Sequence, residues 1–163
     1  MESSRIINAD HIQNLSINPF FGSQLIQHFL SGYGEKFVPT VLVYLVMPMI
    51  YYRPSRNLLV TAKKNSTLFT LFKDDSEKVV ALGGLQERVL FFENVTNQGI
   101  IVAFNERSIN ITTEGIQLLR KASYKDIEYT DVKTFFRAAY YLGKLVSKMD
   151  TVNVFRLLGV TNV

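Results

Sequence analysis

A long uncharged stretch of apolar residues, Phe37–Tyr52, stands between Lys36 and Arg53. A segment that is apolar on all sides requires burial on every face. A membrane span needs about 20 apolar residues, whereas this stretch is shorter and contains Pro39 and Pro48. The pattern therefore predicts a central buried helix of a folded domain, which starts near Pro39 and kinks or ends at Pro48.

Helical spacing and capping residues predict further helices on both sides of this stretch. Asn18 is suited to cap a helix that has proline at its first position and ends near Leu30. Apolar residues three and four apart predict a long core-facing helix over Asp131–Lys148. Asp150 and Gly159 are predicted to cap the two ends of a final short helix.

Small polar residues mark other expected helix starts. Ser55 and Ser66 are predicted to cap two short helices, and Thr130 to cap the long C-terminal one. The charged run Lys73–Lys78 predicts a loop between them. The middle of the chain is thus expected to be a series of short helices joined by polar turns.

The segment of about residues 82–122 has the pattern of a winged helix-turn-helix. A helix that ends near Asn94, a tight turn and a second helix over Val95–Glu106 are predicted first. Ser108–Thr112 alternates with period two, as a half-buried strand does, and a turn at Thr113–Gly115 predicts a short hairpin. The strands of this hairpin are expected to form the wing.

Together these elements predict a mostly helical α+β fold. Residues 1–163 are expected to form a single domain, since the length suits one core. The winged helix-turn-helix element is expected to pack around the central buried apolar helix, with C-terminal helices at about residues 131–159.

Composition and charge add a possible contact surface. The net charge is +4 at pH 7, and hydrophobic residues make up 47% of the chain, a surplus that points to partner surfaces. Arg53, Arg56, Lys63 and Lys64 lie in one short window that contains no acidic residue. This cluster predicts a contact for the DNA backbone or for an acidic partner, and the alternative is a solvated face.

No motif for catalysis or for a cofactor is present. The chain has no cysteine, and its two histidines, His11 and His28, do not have metal-ligand spacing. A phosphate-binding loop and a nucleophile elbow are both absent. We therefore expect no enzyme activity, no cofactor and no metal. The N-terminus lacks a basic region before an apolar core, so we expect no signal peptide and a cytoplasmic protein.

Two segments are candidates for recognition. Thr96–Gln98 at the start of the expected recognition helix offers side chains that can read bases. The following residues Ile100–Phe104 are apolar, which favours a protein-binding scaffold over groove binding. In the final helix Val152, Phe155 and Leu158 recur every three residues and are predicted to dock into a partner. The alternative is that this helix closes the domain's own core.

Three fragments together resemble one known family. They are N-P-F-F-G-S-Q-L-I-Q-H-F-L-S-G-Y from Asn18, L-V-Y-L-V-M-P-M-I-Y-Y-R-P-S-R from Leu42, and V-F-R-L-L-G-V from Val154. In this order they are similar to the middle component of bacterial three-component ABC (ABC-3C) systems, a family that includes the accessory subunit of Lamassu anti-phage defence systems. The resemblance implies a non-catalytic subunit encoded beside an SMC-like ABC ATPase and an effector, often a nuclease.

The sequence and the resemblance lead to one main functional prediction. The chain is expected to be an adaptor of an anti-phage or anti-plasmid defence complex, which links an SMC-like ATPase to a nuclease-like effector. DNA contact is expected to occur through the complex. One alternative is a winged-helix DNA-binding transcription regulator, and another is a membrane-associated protein anchored by Phe37–Tyr52.

Overall fold

The computed structural model describes residues 17–163, which are mostly helical. In chain order the helices are α1 (Pro19–Tyr33), α2 (Thr40–Val43), α3 (Val46–Ile50), α4 (Arg53–Val60), α5 (Leu68–Phe72), α6 (Ser76–Val79), a 3₁₀ turn (Val80–Leu82), α7 (Leu85–Asn105), α8 (Thr130–Val146) and α9 (Thr151–Leu158). Strands β1 (Ile109–Thr112) and β2 (Gly115–Leu118) lie between α7 and α8. The mostly helical α+β class is thus confirmed. The expectation about a signal peptide falls on residues outside the described part.

Helix α1 packs closely against both long helices, α7 and α8. Its crossing with α8 is close enough that a Cβ atom at Gly143 would collide with the carbonyl oxygen of Phe29. A Cβ atom at Gly32 would likewise collide with the carbonyl oxygen of Tyr140. Glycine at both positions therefore allows the two backbones to approach each other directly.

The central apolar stretch is buried, as its pattern predicts. Val43, Met47 and Ile50 are 0% exposed and belong to the main core. Within residues 17–163 no helix is sufficiently long and apolar to pass through a membrane.

The prediction of one central helix is wrong, because the stretch folds as two short helices, α2 and α3, with a turn at Tyr44 and Leu45. Pro48 lies inside α3 and explains the break four residues earlier. It has no N–H to donate to the carbonyl of Tyr44, and its ring would clash with that carbonyl in a continuous helix. The amides of Tyr44 and Leu45 instead bond to carbonyls three residues back, at 3.3 and 3.1 Å.

The prediction of a helix-turn-helix is also wrong. Helix α7 is continuous over 21 residues, and no turn separates Asn94 from Val95. The polar residues in the middle of α7 mark its exposed side rather than a turn, since Asn94 and Asn97 are exposed whereas Thr96 and Gly99 are buried. Without a separate recognition helix, the expected winged helix-turn-helix is not formed.

The hairpin that was expected to be the wing is present. Strands β1 and β2 are antiparallel, with Ile109 opposite Leu118 and Thr112 opposite Gly115. An isolated bridge between Val38 and Ile116 joins the hairpin to the start of the central stretch. The hairpin therefore packs on the core instead of standing out as a wing.

Three of the predicted helix caps are confirmed. The Asn18 side chain accepts a hydrogen bond from the Phe21 amide at 2.8 Å, at the start of α1. Asp150 caps α9 by accepting from the Asn153 amide at 3.0 Å, and Gly159 ends that helix in the left-handed conformation. The pKa of Asp150 is lowered, mainly by the hydrogen bond from the backbone of Asn153.

The other predicted helix starts are displaced. Ser55 lies inside α4, where its buried hydroxyl donates to the carbonyls of Met49 and Tyr52. Thr67 rather than Ser66 caps α5, and Thr130 is the first residue of α8 instead of its cap. The charged run Lys73–Lys78 is only partly a loop, because it contains the start of α6.

Candidate interaction surfaces

The four cations predicted to form one contact surface are not all at the surface. Arg53 is exposed at the first position of α4, and Lys63 and Lys64 are exposed beyond the end of that helix. Arg56, in contrast, is only 3% exposed and points into the core. The prediction that Arg56 contacts DNA or an acidic partner is therefore corrected.

Arg56 stabilises the end of α3. One guanidinium nitrogen donates to the carbonyls of Ile50 and Tyr51 at 2.8 and 3.3 Å, which are among the carbonyls that a helix end leaves unpaired. The guanidinium carbon also lies 4.1 Å from the ring centroid of Phe135. Burial lowers the pKa of Arg56 to about 10, and the charge of Arg53 adds to this effect.

Arg88 and Arg137 have similar structural roles. Arg88 is 2% exposed and donates to the carbonyls of Pro48 and Gly83 at 3.1 and 2.6 Å. Burial lowers the pKa of Arg88 to about 10. Arg137 donates from α8 to the carbonyl of Val60 at 3.1 Å, near the end of α4. Sequence analysis missed both roles, although Arg88 stands on the apolar face of its helix, which is a detectable signal.

The three residues of α9 that were predicted to dock into a partner differ in their exposure. Leu158 is 2% exposed and belongs to the core together with Val154, so it is not available to a partner. Val152 is 64% exposed, and Phe155 is half-buried. The alternative that α9 closes the core therefore holds for one face of the helix, while Val152 and Phe155 stay accessible on another.

A shallow apolar depression lies beside these two accessible residues. Its walls come from α9 and from the segment that follows it, and they comprise Val152, Phe155, Arg156, Val160, Thr161 and Val163. The side chain of Gln86 on α7 holds the following segment in place. Its oxygen accepts from the amides of Thr161 and Asn162 at 2.7 and 3.0 Å, and its nitrogen donates to the Asn162 carbonyl at 2.7 Å.

The second half of the outer face of α7 is uncharged and exposes apolar side chains, of which the sequence pattern had indicated only the apolar run Ile100–Phe104. Leu90, Ile101 and Phe104 are 48%, 57% and 47% exposed, although they lie on one side of the helix. From Asn94 to Asn105 the helix contains no charged residue, and its other exposed side chains are amides. The signal in the sequence was the absence of charge over more than three helical turns.

The three residues that were expected to read bases differ in their exposure and in their contacts. Thr96 is 0% exposed. The side-chain oxygen of Asn97 accepts a hydrogen bond from the hydroxyl of Tyr44 on the exposed side of α7. Gln98 is exposed. These side chains do not form a common base-reading surface.

His28 is packed in the core. Its ring stacks on Phe136 with centroids 4.1 Å apart, and its Nδ1 donates to the Gln24 carbonyl at 2.7 Å. Burial lowers the pKa of His28, while the backbone of Gln24 and of Ser123 acts in the opposite direction. No group of three His, Asp or Glu side chains in residues 17–163 is arranged to hold a metal ion. His11 lies outside the described residues.

The described helices and the short hairpin define a small, mostly helical α+β protein with apolar and basic side chains on its outer faces. Residues 7–162 match the family described as ABC-three component (ABC-3C) system Middle Component 3, and the chain belongs to this family. As a member of this family, the chain is a component of an ABC-3C system and works together with the other components of that system. Comparisons with curated proteins and with solved structures yield no match.

Proposed function

We propose that this chain is a non-catalytic adaptor, which holds an SMC-like ABC ATPase and a nuclease-like effector in one cytoplasmic complex for defence against phages or plasmids. Its membership of the middle-component family supports an assembly role. The observation that carries the proposal is the uncharged second half of the outer face of α7, Asn94–Asn105, where Ile101 and Phe104 are exposed. An exposed apolar face of this kind marks an interaction site.

The composition of the α7 face indicates what binds there. Protein–protein interfaces lose charged residues at their centre and gain aromatic ones. The stretch Asn94–Asn105 follows this pattern, with Phe104 and Ile101 exposed among amide side chains. At 1.5 Å per residue it is about 18 Å long, which suits a helix laid along it. The proposed occupant is an uncharged apolar helix of another ABC-3C component.

A second contact is proposed at α9. Val152 and Phe155 are accessible beside the apolar depression, whose far wall is held by Gln86. A wall that is ordered before binding lowers the entropic cost of association. Two separate faces, α7 and α9, allow one adaptor to hold two different partners.

Co-expression of the three components and affinity capture of this chain test the α7 contact. Ile101→Lys should cause the loss of one partner, because a charge at the centre of an apolar interface is left without a counter-ion. Tyr129→Lys is a matched control, since Tyr129 is 77% exposed and precedes α8 rather than lying on α7. If Ile101→Lys captures both partners as well as the control does, the α7 face is not an interface.

The α9 contact needs variants that leave the core intact. Val152→Lys should retain a normal melting curve, because Val152 is 64% exposed, and should lose the other partner. Leu158→Ala should instead lower the melting temperature, because it removes a core side chain. Retention of both partners by the Val152→Lys variant would exclude this contact.

A further inference from the structure

Helix α8 presents a row of cations that the sequence analysis did not recognise. The row, called the α8 stripe, consists of Lys133, Arg137, Tyr141, Lys144 and Lys148. Spacings of three and four residues place these side chains along one side of the helix and of the turn that follows it. The stripe is about 22 Å long at 1.5 Å per residue.

Acidic residues are missing from the part of this helix that carries the α8 stripe. From Val132 to Met149 the chain has four cations and no Asp or Glu. Asp131 lies two residues before Lys133 and therefore faces the opposite side of α8. In the described part of the chain the ion pair within 4.0 Å is Lys78–Asp74, far from the stripe in sequence.

Neutral carbonyls hold several of these cations in position without neutralising them. Lys133 Nζ donates to the Lys125 carbonyl at 3.0 Å. Lys148 Nζ donates to the carbonyls of Lys64 and Ser66 at 3.1 and 2.6 Å. A carbonyl oxygen carries no net charge, so the positive potential of the stripe stays available to an anion.

An aromatic ring lies between two of the cations. The guanidinium carbon of Arg137 and the ammonium of Lys144 are 4.6 and 5.9 Å from the ring centroid of Tyr141. Cation–π contacts of this kind order long side chains on a helix surface. The stripe is thus a partly ordered surface rather than a set of independent mobile charges.

The contact between Lys148 and the carbonyl of Lys64 brings the 63–64 segment beside the end of the stripe. Lys63 and Lys64 are both exposed there. Lys63 and Lys64, the exposed residues of the predicted basic cluster that follow α4, therefore lie beside the end of the α8 stripe. One continuous basic surface results, although its two parts are more than 60 residues apart in sequence.

We propose that the α8 stripe, together with Lys63 and Lys64, binds the phosphate backbone of double-stranded DNA without sequence preference. Helix α8 exposes no large apolar residue, so the surface lacks the apolar centre that protein interfaces have. The stripe also lacks Asn and Gln, which read base edges. A straight row of cations about 22 Å long extends over roughly six base-pair steps of a duplex. This contact goes beyond the adaptor role and uses a different surface.

Fluorescence anisotropy with a labelled 30-base-pair duplex, measured on the full chain from 50 to 200 mM salt, tests the proposal. The variant carries Lys63→Gln, Lys64→Gln and Lys144→Gln. A plot of log affinity against log salt has a negative slope, and each lost phosphate contact makes this slope shallower by about 0.9. We therefore expect the slope to become shallower by about 2.7. The affinity at 100 mM salt should fall at least about tenfold. Two duplexes of unrelated sequence should bind equally.

A matched control removes three exposed cations elsewhere, with Lys36→Gln, Arg120→Gln and Lys121→Gln. Both variants should melt like the wild type, because surface substitutions change stability little. Selective loss of binding in the first variant supports the proposal. Equal loss in both variants would show that net charge alone is responsible and would overturn it. Absence of wild-type binding at 50 mM salt, or preferential binding of polyglutamate through the same lysines, would overturn it as well.

Discussion

The guanidinium of Arg88 lies over the ring of Tyr52, with its carbon 3.7 Å from the ring centroid and both side chains buried. From α7 the same side chain donates to Pro48 in α3 and to the carbonyls of Ala81 and Gly83 around the 3₁₀ turn. A single arginine therefore links three segments of the chain. It does so through neutral acceptors and a ring rather than through an ion pair.

Replacement of Arg88 should reveal the strength of this link. Arg88→Met keeps most of the side-chain volume but removes every donor, so the three carbonyls lose their partner. We expect the free energy of unfolding to fall by about 1–3 kcal/mol, measured by urea denaturation. Arg53→Met, at an exposed arginine of α4, should change it by no more than about 0.5 kcal/mol. Equal effects at both positions would contradict a structural role for Arg88.

Val43→Asp tests the burial of the central stretch. Val43 is 0% exposed, and a carboxylate there has no counter-charge, so the variant should not fold at neutral pH. Val41 lies on the same short helix but is 42% exposed, and Val41→Asp should remain folded. Circular dichroism and thermal melting distinguish the two. A normal melting curve for Val43→Asp would exclude the buried position.

Gly143→Ala tests the close crossing of α1 and α8. In an exposed helix this change is stabilising, but here the new methyl group would meet the Phe29 carbonyl. We expect the crossing to open and the free energy of unfolding to fall by about 1–3 kcal/mol. Gly159→Ala serves as a comparison, because nothing lies within 4 Å of the new atom and only its positive φ is unfavourable. That variant should lose about 1–2 kcal/mol. A stabilised Gly143→Ala protein would show that the helices are farther apart.

His28 should make the stability depend on pH. Because burial lowers its pKa below the usual 6.5, the unfolded chain takes up a proton first as the pH falls. Stability is therefore greatest above pH 6.5 and decreases toward pH 5. His28→Gln should reduce this decrease, as measured by urea denaturation at pH 7.5 and 5.5. His11→Gln reports any contribution from the other histidine of the chain. An unchanged decrease in His28→Gln would mean that other groups are responsible.

Local sequence determined much of the helical framework. Asn18 and Asp150 accept hydrogen bonds from amides three residues away, so their capping roles require no knowledge of distant segments. The burial of Phe37–Tyr52 followed from its lack of charge, and its short length and two prolines argued against a membrane span. The hairpin after α7 was visible in the alternation of Ser108–Thr112. The break between α2 and α3 is also a local effect of Pro48, although it was expected at the proline instead of four residues before it.

The tertiary structure alone decided which cations and apolar residues reach the surface. Arg137 donates to the Val60 carbonyl 77 residues away, a pairing that no local pattern contains. Arg56 and Leu158 face inward because a helix end and the core require them there, although Asn57 and Gly159 beside them are exposed. The continuous helix α7 was hidden because amide residues favour both turns and exposed helix faces, and only its packing on α1 distinguishes the two. The basic surface of α8 and Lys63–Lys64 likewise exists only because folding brings two distant acid-free segments together.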